Sequence, residues 1–439
     1  MRKKILSIVL LGCMFGFGYY LGERNNEKKH NNDFIITNPD LITIAKTWKT
    51  IEDNFAYVLD KDKQSKMKDS AIQSMLSSID PHSYWWNSAS QNQLEEKIKG
   101  EYGGIGIRYL FDDKDKNVKI IAIKEKSPAD RAGLKVNDII LRVNDISYED
   151  PAFNDSFKGE VGTKVNLDIK RNDKDLKIEM VRKKVTNFSA YSKVETIDND
   201  KWLNIRITEF QEKTVDDMVN EIRNHWYTND KPNNGIILDL RGSPGGLVDV
   251  SAGVASLFLH ENKKVTSIKE RNNHDVVFDT IKYSTEAWTK WAKDVPLIIW
   301  VDDKTASAAE ILASALKDNK RTLFVIGTST YGKGTVQRTF PITPKEQATF
   351  TIGFYKTPNN HYLQWKGVVP DVLIKFPSDI ENERNLQKEK SVEGSLMPPE
   401  KESGNKPRIE IGISNNELKT SIDNIYLDKT KQILKLNAF

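Results

Sequence analysis

Cysteine is almost absent from this chain of 439 residues: Cys13 is the single one, so no disulfide can form within the chain. Neither sign of charge dominates, because 66 lysines and arginines are balanced by 62 aspartates and glutamates. This balance gives no argument for a nucleic-acid partner. Histidine is scarce as well, and none of the six lies in a G-x-S-x-G hydrolase signature. The sequence carries no internal repeat, and we predict neither a metal nor a cofactor.

Long apolar runs are also lacking, with one exception. Residues 5–22, ILSIVLLGCMFGFGYYLG, are uncharged and follow three basic residues. Their length is at the lower limit of a membrane span, and the basic start favours a cytoplasmic N-terminus with the rest outside. We therefore predict a signal or membrane anchor in residues 1–22 and a bacterial cell-envelope location, periplasmic or extracytoplasmic. A cleaved signal peptide and a lipoprotein, suggested by LLGC, remain alternatives.

The remaining length predicts several domains of α/β class. Apolar residues at helical spacing predict helices in residues 33–97, which include SSIDPHS. Short β-branched runs fill residues 98–185, and strands alternate with helices in residues 186–377. Residues 378–405 are charged with few large aliphatic side chains, so we predict a linker there. Residues 406–439 are predicted to hold a strand and a helix of unknown role.

A binding segment is indicated by GGIGI at residues 103–107. Glycines that open a strand can point successive backbone amides into one concavity that holds a carboxylate. Taken alone, the pattern also fits a hairpin or bulge. The order GIGI, strand, SPADRAGLKVNDIILRVND resembles a PDZ domain, which implies that Ile105, Gly106 and Ile107 supply the carboxylate-binding amides. Asn137 stands where such domains commonly have glycine, and asparagine tolerates a left-handed backbone.

A reactive segment is indicated by TASAAEILASAL, which follows the apolar strand PLIIWV. This order places Ser307 at a helix N-terminus, where unpaired amides and the positive end of the helix dipole gather. The pattern Ser307-Ala-Ala-Glu310 also fits a capping box, in which the serine only satisfies a helix amide. A second unit of strand, GSPGG turn and helix precedes it. Amides at Gly245 and Gly246 could converge with those after Ser307 to form an oxyanion hole, although a tight turn explains this segment equally well.

A candidate general base for Ser307 lies in GTSTYGKGTVQ, residues 327–337. The segment nearly matches a phosphate-binding loop, but Gly334 stands where that loop needs serine or threonine, and no helix follows. Read as an extended segment, it places Lys333 and Gln337 on one face. A lysine can activate serine if burial lowers its pKa by about 3 units from its ordinary value near 10.4. Asp318 lies about 16 Å along the helix from Ser307, so we assign it a structural role.

Together, LDLRGSPGGLV, TASAAEILASALKDNKR, GTSTYGKGTVQ, TIGFYKTPNNHYLQWKGVVPD and SSIDPHS resemble the carboxy-terminal processing (tail-specific) proteases over about residues 40–377. The resemblance implies a crotonase-like α/β peptidase core with an N-terminal helical segment and an inserted PDZ domain. It also implies Ser307 as nucleophile, Lys333 as general base, Gln337 as the orienting residue, and oxyanion amides from Ala308 and from Gly245 or Gly246.

The expected substrates are exported proteins with unstructured apolar C-terminal tails, captured by the PDZ domain. The membrane is an expected partner, with the N-terminal segment as an anchor in the inner membrane, and a homo-oligomer or an activating adaptor is left open. The alternative function is a catalytically inactive PDZ-containing scaffold of the cell envelope. A nucleotide-dependent enzyme is disfavoured by the two mismatches in the phosphate-binding loop.

Overall fold

The computed structural model describes residues 37–436, apart from 88–89, 91–95, 97, 113–116, 125, 228–233, 272–274, 282–285, 400–405 and 415–416. The chain divides into two compact units, one ending at Ile72 and one beginning at Gln73. Helix α1 spans Pro39–Asn54 and helix α2 spans Lys61–Ser77. Helix α1 begins where the Asn38 side chain accepts hydrogen bonds from the amides of Asp40 and Leu41, with proline at its first position.

The larger unit contains a small β domain with its own apolar core. Its main sheet has the order β3-β4-β5-β7-β8, with β6 paired to β5, while β2 pairs with β9. Burial alternates along β7, so one face of the strand packs inward. The elements are β2 (Glu101–Gly104), β3 (Ile107–Asp112), β4 (Asn117–Ile123), α3 (Pro128–Arg131), β5 (Ile139–Val143), β6 (Ile146–Ser147), α4 (Phe153–Ser156), β7 (Lys164–Arg171), β8 (Lys174–Val181) and β9 (Lys183–Thr186).

A seven-stranded sheet forms the centre of the larger domain, in the order β10-β11-β12-β15-β16-β19-β20. Every pair is parallel except β10 with β11. All residues of β12 and β15 are buried, as expected for parallel strands covered on both faces. The strands are β10 (Ala190–Ile197), β11 (Asp200–Ile207), β12 (Gly235–Asp239), β15 (Leu297–Val301), β16 (Phe324–Gly327), β19 (Val372–Lys375) and β20 (Ile409–Gly412).

Helices cover both faces of this sheet. Alternate residues of β12 and β15 pack on one side into a core shared with α5 to α8, and the residues between them pack on the other side against α10. The mixed α/β class predicted from the sequence is therefore confirmed. The helices are α5 (Thr214–Trp226), α6 (Val248–Phe258), α7 (Ala287–Asp294), α8 (Ala308–Asp318), α9 (Ser378–Leu386) and α10 (Ile422–Leu436), with 3-10 turns at Glu389–Ser391 and Glu417–Lys419.

A second sheet of five strands lies in the same unit. Its order is β1-β18-β13-β14, with β17 also paired to β18 as a long hairpin. The strands are β1 (Tyr84–Trp86), β13 (Lys264–Glu270), β14 (Asp275–Asp279), β17 (Thr335–Thr343) and β18 (Glu346–Lys356).

The C-terminal region differs from the prediction. Residues 378–391, read from the sequence as part of a linker, form α9 and a 3-10 turn, and Glu389 is fully buried. The linker interpretation is wrong for this stretch, because a carboxylate can be buried when donors satisfy it, and composition does not reveal those donors. Beyond it, β20 extends the central sheet beside β19, and α10 packs on the sheet.

The predicted anchor in residues 1–22 lies outside the described residues. Within the part of the chain that the structure does describe, no helix has both the length and the apolar composition of a membrane span. The boundaries predicted for the individual domains stay predictions.

Candidate active site

Ser307 lies between β15 and α8 in an unusual backbone conformation, with φ 54° and ψ −120°. A helix-capping serine ordinarily has an extended backbone, so the cap alone does not require this conformation. A non-glycine residue with positive φ outside the usual left-handed basin is strained and persists only where the surroundings hold it. The side chain is only partly buried, although its neighbours Ala306 and Ala308 are buried. The serine therefore sits at a sharp strand-to-helix turn with its side chain accessible.

The predicted glycine turn lies directly against this serine. A Cβ atom added at Gly245 would come within 2.6 Å of the Ala306 carbonyl oxygen, 2.7 Å of the Ala308 amide nitrogen and 2.9 Å of the Ser307 Cβ. The φ angles of Gly245 and Gly246 are 90° and 146°. No other residue type could bring the backbone this close to Ser307. The two turns thus meet at Ser307.

The meeting point offers free backbone donors. Ala308 opens α8, where helix amides have no acceptor inside the helix. In the part of the chain that the structure describes, the amides of Ala308, Gly245 and Gly246 do not take part in any of the protein's hydrogen bonds. The positive end of the helix dipole adds to the attraction for a developing negative charge.

Lys333 lies in the segment between β16 and β17, flanked by Gly332 and Gly334. Its amide donates to Glu310 Oε2 at 3.0 Å, and the Ser307 amide donates to the same oxygen at 2.8 Å. The two backbone nitrogens therefore cannot be further apart than the sum of those distances. Residues 26 positions apart in the sequence are brought together by one carboxylate. The Lys333 side chain is partly buried.

Glu310 itself is completely buried and receives two further hydrogen bonds. The Thr330 hydroxyl donates to Oε1 at 2.5 Å and the Gly332 amide at 2.7 Å. The Thr330 hydroxyl oxygen also accepts from the Val368 amide at 2.6 Å, which fixes the direction in which it donates. Burial raises the pKa of Glu310 to about 7, while the four donors favour the ionised form and oppose a larger rise. The sequence pattern identifies Glu310 only as half of a capping box.

Gln337 lies on β17, close to the loop that carries Lys333. Its side-chain nitrogen donates to the hydroxyls of Thr335 and Thr351, both at 3.0 Å. Both amide hydrogens are therefore engaged, and the carbonyl oxygen remains to accept. The strand begins at Thr335, so Lys333 precedes it. The Gly334 carbonyl still accepts from the Tyr355 amide of β18, and the prediction that Lys333 and Gln337 share one face stays a prediction.

Other polar groups considered from the sequence have separate partners. At the far end of α8, Asp318 accepts a hydrogen bond from the Asn359 amide at 3.1 Å, which fits the structural role expected for it. His82 contacts both carboxylate oxygens of Glu389 at 3.0 Å, and the His225 ring contacts the Ser192 hydroxyl at 2.9 Å.

Arg241, in the LDLR segment before the glycine turn, is a residue for which the sequence predicts no individual role. It is buried, pairs with Asp239 at 2.6 Å and with Asp423 of α10 at 2.6 Å, and lies over the rings of Trp300 and Tyr426. Burial lowers the pKa of this guanidinium, but Asp239 and Asp423 outweigh burial and raise it overall. Asp423, in the C-terminal extension, therefore binds Arg241, the residue directly before the glycine turn.

The segment predicted to bind a carboxylate has a left-handed backbone at Gly106. Gly106 has φ 79°, and a Cβ atom there would lie 2.5 Å from the Ser127 Cβ. The carbonyl of buried Ile105 accepts from the Ala129 amide, and that of Gly106 accepts from the Lys124 amide. Ile107 opens β3, the edge strand of its sheet. Asn137 has φ 75°, the left-handed conformation expected from its place in the motif.

This geometry, a strained serine at a helix start with a lysine loop and a glycine turn beside it, is that of a serine-type peptidase core joined to a small β domain. The family model for the PDZ domain matches residues 103–181, and that for peptidase family S41 matches residues 201–374. The chain belongs to the carboxy-terminal processing proteases of family S41, a serine protease family. The resemblance stated from the sequence is thereby confirmed, with its α/β fold and its PDZ domain.

Two curated relatives and one solved structure give the extent of the similarity. A carboxy-terminal-processing protease of Bartonella bacilliformis is 32% identical over 329 residues, which are 73% of this chain and 72% of that protein. Carboxy-terminal processing protease CtpA of Bacillus subtilis is 31% identical over 341 residues, 76% and 69% of the two chains. The photosystem II D1 C-terminal processing protease has a TM-score of 0.44 at 20% identity, over 80% of this chain and 98% of that chain. As a protease with a PDZ domain, the protein acts on protein substrates.

Proposed function

We propose that the chain is a serine endopeptidase in which Ser307 is the nucleophile and Lys333 its general base. The observation that carries the proposal is the buried Glu310 carboxylate, which accepts from the amides of both residues. A shared acceptor fixes the two backbones relative to each other. The strain at Ser307 supports the same conclusion, because strained backbone conformations cluster at reacting residues.

The reaction begins with attack of the Ser307 hydroxyl oxygen on the carbonyl carbon of the scissile peptide bond, while its proton moves to the neutral Lys333 amine. The carbonyl oxygen becomes negative and is stabilised by the amides of Ala308 and of Gly245 or Gly246. The carbon–nitrogen bond then breaks, and Lys333 delivers the proton to the leaving amine. Water, deprotonated by the same lysine, hydrolyses the ester and frees Ser307.

The lysine must be neutral for this mechanism. Lowering the pKa of a lysine by about 3 units from its ordinary value near 10.4 costs about 4 kcal/mol, which partial burial and the neighbouring helix N-terminus have to supply. The carbonyl oxygen of Gln337 is the group proposed to orient the neutral amine, since both hydrogens of its amide already bind threonine hydroxyls. A protonated amine would have no lone pair with which to accept the serine proton.

The test is cleavage of a denatured protein with an apolar C-terminal tail. We expect Ser307→Ala and Lys333→Arg to abolish cleavage with the fold intact, whereas Lys304→Arg, at an exposed lysine three residues before the nucleophile, keeps full activity. Single-turnover cleavage by the wild type should rise to a plateau at neutral to mildly alkaline pH. Turnover that survives either substitution would overturn the dyad and leave the inactive scaffold as the better account.

We further infer that the PDZ domain selects substrates by their C-termini. A peptide that adds to the edge strand β3 would place its terminal carboxylate at the amides of Ile105, Gly106 and Ile107. Amidating the carboxylate of a model substrate, or placing charges in its last residues, should then slow cleavage. Equal rates for the free, amidated and charged tails would remove the PDZ domain from substrate selection.

The location is proposed from the N-terminal sequence. The uncharged run of residues 5–22 after a basic start supports a membrane anchor and a position on the extracytoplasmic face of the cell envelope. Fractionation of cells that express the full chain tests this. We expect the full-length protein in the membrane fraction, where a protease added outside the cytoplasm can digest it. Recovery in the cytoplasm would contradict it.

A further inference from the structure

We propose that Glu389, in the segment that follows the peptidase fold, is a positioning residue for Lys333. The proposal rests on the assignment of Lys333 as the general base. It concerns a contact chain that begins at the loop of the lysine and ends at a buried carboxylate 56 residues further along the sequence.

The first link of the chain is Gly334, the neighbour of Lys333. Its amide donates to Gln364 Oε1 at 2.7 Å, and both Gly334 and Gln364 are buried. A Cβ atom at Gly334 would lie 2.1 Å from the Gln364 backbone nitrogen, so the two segments are in direct contact. The orientation of the Gln364 amide therefore sets where the backbone after Lys333 lies.

The second link is the other end of the Gln364 side chain. Its nitrogen lies within hydrogen-bond distance of three acceptors: Glu389 Oε1 at 3.2 Å, the Ser395 hydroxyl oxygen at 3.2 Å and the Leu396 carbonyl at 2.9 Å. With only acceptors around the nitrogen and the Gly334 amide donating to the oxygen, a single orientation of the Gln364 amide is favourable. All three acceptors come from the segment that contains Glu389.

Glu389 is itself held firmly. It is completely buried, accepts from the Ser395 hydroxyl at 2.7 Å and contacts the His82 ring nitrogen at 3.0 Å through each oxygen. Burial opposes ionisation, but the hydrogen bonds from His82, Ser395 and Gln364 more than offset burial and lower the pKa of Glu389. The carboxylate is thus a fixed negative acceptor at neutral pH.

A backbone contact ties the same segment to the opposite side of the lysine. The Glu389 amide donates to the Tyr331 carbonyl at 3.3 Å. The loop is therefore held at Tyr331 and at Gly334, on either side of Lys333, while Glu310 holds the amides of Gly332 and Lys333 from within the core. Removing the Glu389 carboxylate would take away one of the acceptors that orient Gln364, which would loosen the attachment at Gly334 and let the base move away from the nucleophile.

The experiment measures kcat and KM for a tailed protein substrate with the wild type, Glu389→Ala, Glu389→Gln and the control Glu393→Ala, an exposed glutamate of the same segment. Circular dichroism identifies a temperature at which every variant is folded. We expect Glu389→Ala to lower kcat about tenfold to a hundredfold with KM within about twofold, since a displacement of about 1 Å can cost that much. Glu389→Gln should restore most of kcat, because its side-chain oxygen can still accept from Gln364, and Glu393→Ala should match the wild type.

A folded Glu389→Ala protein with unchanged kcat would overturn the proposal, and so would a change confined to KM. If that variant does not fold, Glu389→Asp, which keeps the charge but is one methylene shorter, takes its place with the same expected fall in kcat. An inactive wild type would instead refute the proposed protease mechanism, and the positioning role with it. The reaction of Ser307 with a fluorophosphonate, which needs the base but no protein substrate, should slow in parallel with kcat.

Discussion

The stability of the peptidase core should depend on pH through Glu310. Its carboxyl group is completely buried and has a pKa of about 7, against 4.5 for an ordinary glutamate. Between these two values the folded protein binds more protons at this site than the unfolded chain does. The free energy of unfolding must therefore fall as the pH rises through this window. The contribution is fully present below about pH 4.5 and is lost as the pH passes about 7.

The magnitude follows from the interval between the two pKa values. Each pKa unit corresponds to about 1.4 kcal/mol, so the interval from 4.5 to about 7 gives about 3 kcal/mol for complete titration of Glu310. This figure needs no large correction for solvent screening, because the side chain has no exposed surface. The four hydrogen bonds to the carboxylate already act against burial in setting the pKa.

The assay is unfolding in guanidinium chloride from pH 4 to pH 8 for the wild type and Glu310→Gln. The variant should be less stable at high pH, because the amide nitrogen cannot accept hydrogen bonds from two of the four donors. The informative quantity is the difference in unfolding free energy between wild type and variant at each pH. We expect this difference to shrink by about 3 kcal/mol as the pH rises, because only the wild type loses the proton.

Other groups titrate in the same range, so Glu393→Gln, at an exposed glutamate, serves as the control and should follow the wild type at every pH. A wild-type minus Glu310→Gln difference that stays constant from pH 4 to pH 8 would refute the reasoning. It would mean that the four donors keep the carboxylate ionised throughout, with a pKa close to that of an exposed glutamate.

Two further outcomes follow from the geometry. Ser307→Gly should be more stable than Ser307→Ala by about 1 kcal/mol, because glycine relieves the backbone strain at φ 54° and loses only part of this gain to the entropy of the unfolded chain. Equal unfolding midpoints for the two variants would argue against strain at the nucleophile. Asp423→Ala should lower the free energy of unfolding by about 1–2 kcal/mol. The effect is modest because Asp423 is partly exposed and Arg241 keeps its ion pair with Asp239. An unchanged thermal midpoint would show that the ion pair between α10 and Arg241 does not contribute to stability.

The elements around the site could be predicted from the sequence because each is determined locally. A buried β-branched strand followed by a short turn and an apolar-periodic helix is recognisable without any tertiary contact, and this places Ser307 at a helix start. Glycine at 245 and asparagine at 137 are visible in the same way, since a left-handed backbone restricts the residue type at that position alone.

The sequence by itself thus determined the strand-to-helix turns, the resemblance to a protease family and the residues proposed to react. Only the tertiary structure decided that Glu310 accepts from the amides of Ser307 and Lys333, and that Ile380, Arg384 and Glu389 of the segment 378–391 contact the peptidase core. The role proposed for Glu389 is likewise invisible in the sequence. A buried carboxylate is stabilised by donors that lie far away in the chain, such as His82 and Gln364, and pairing of this kind leaves no periodic pattern in the sequence.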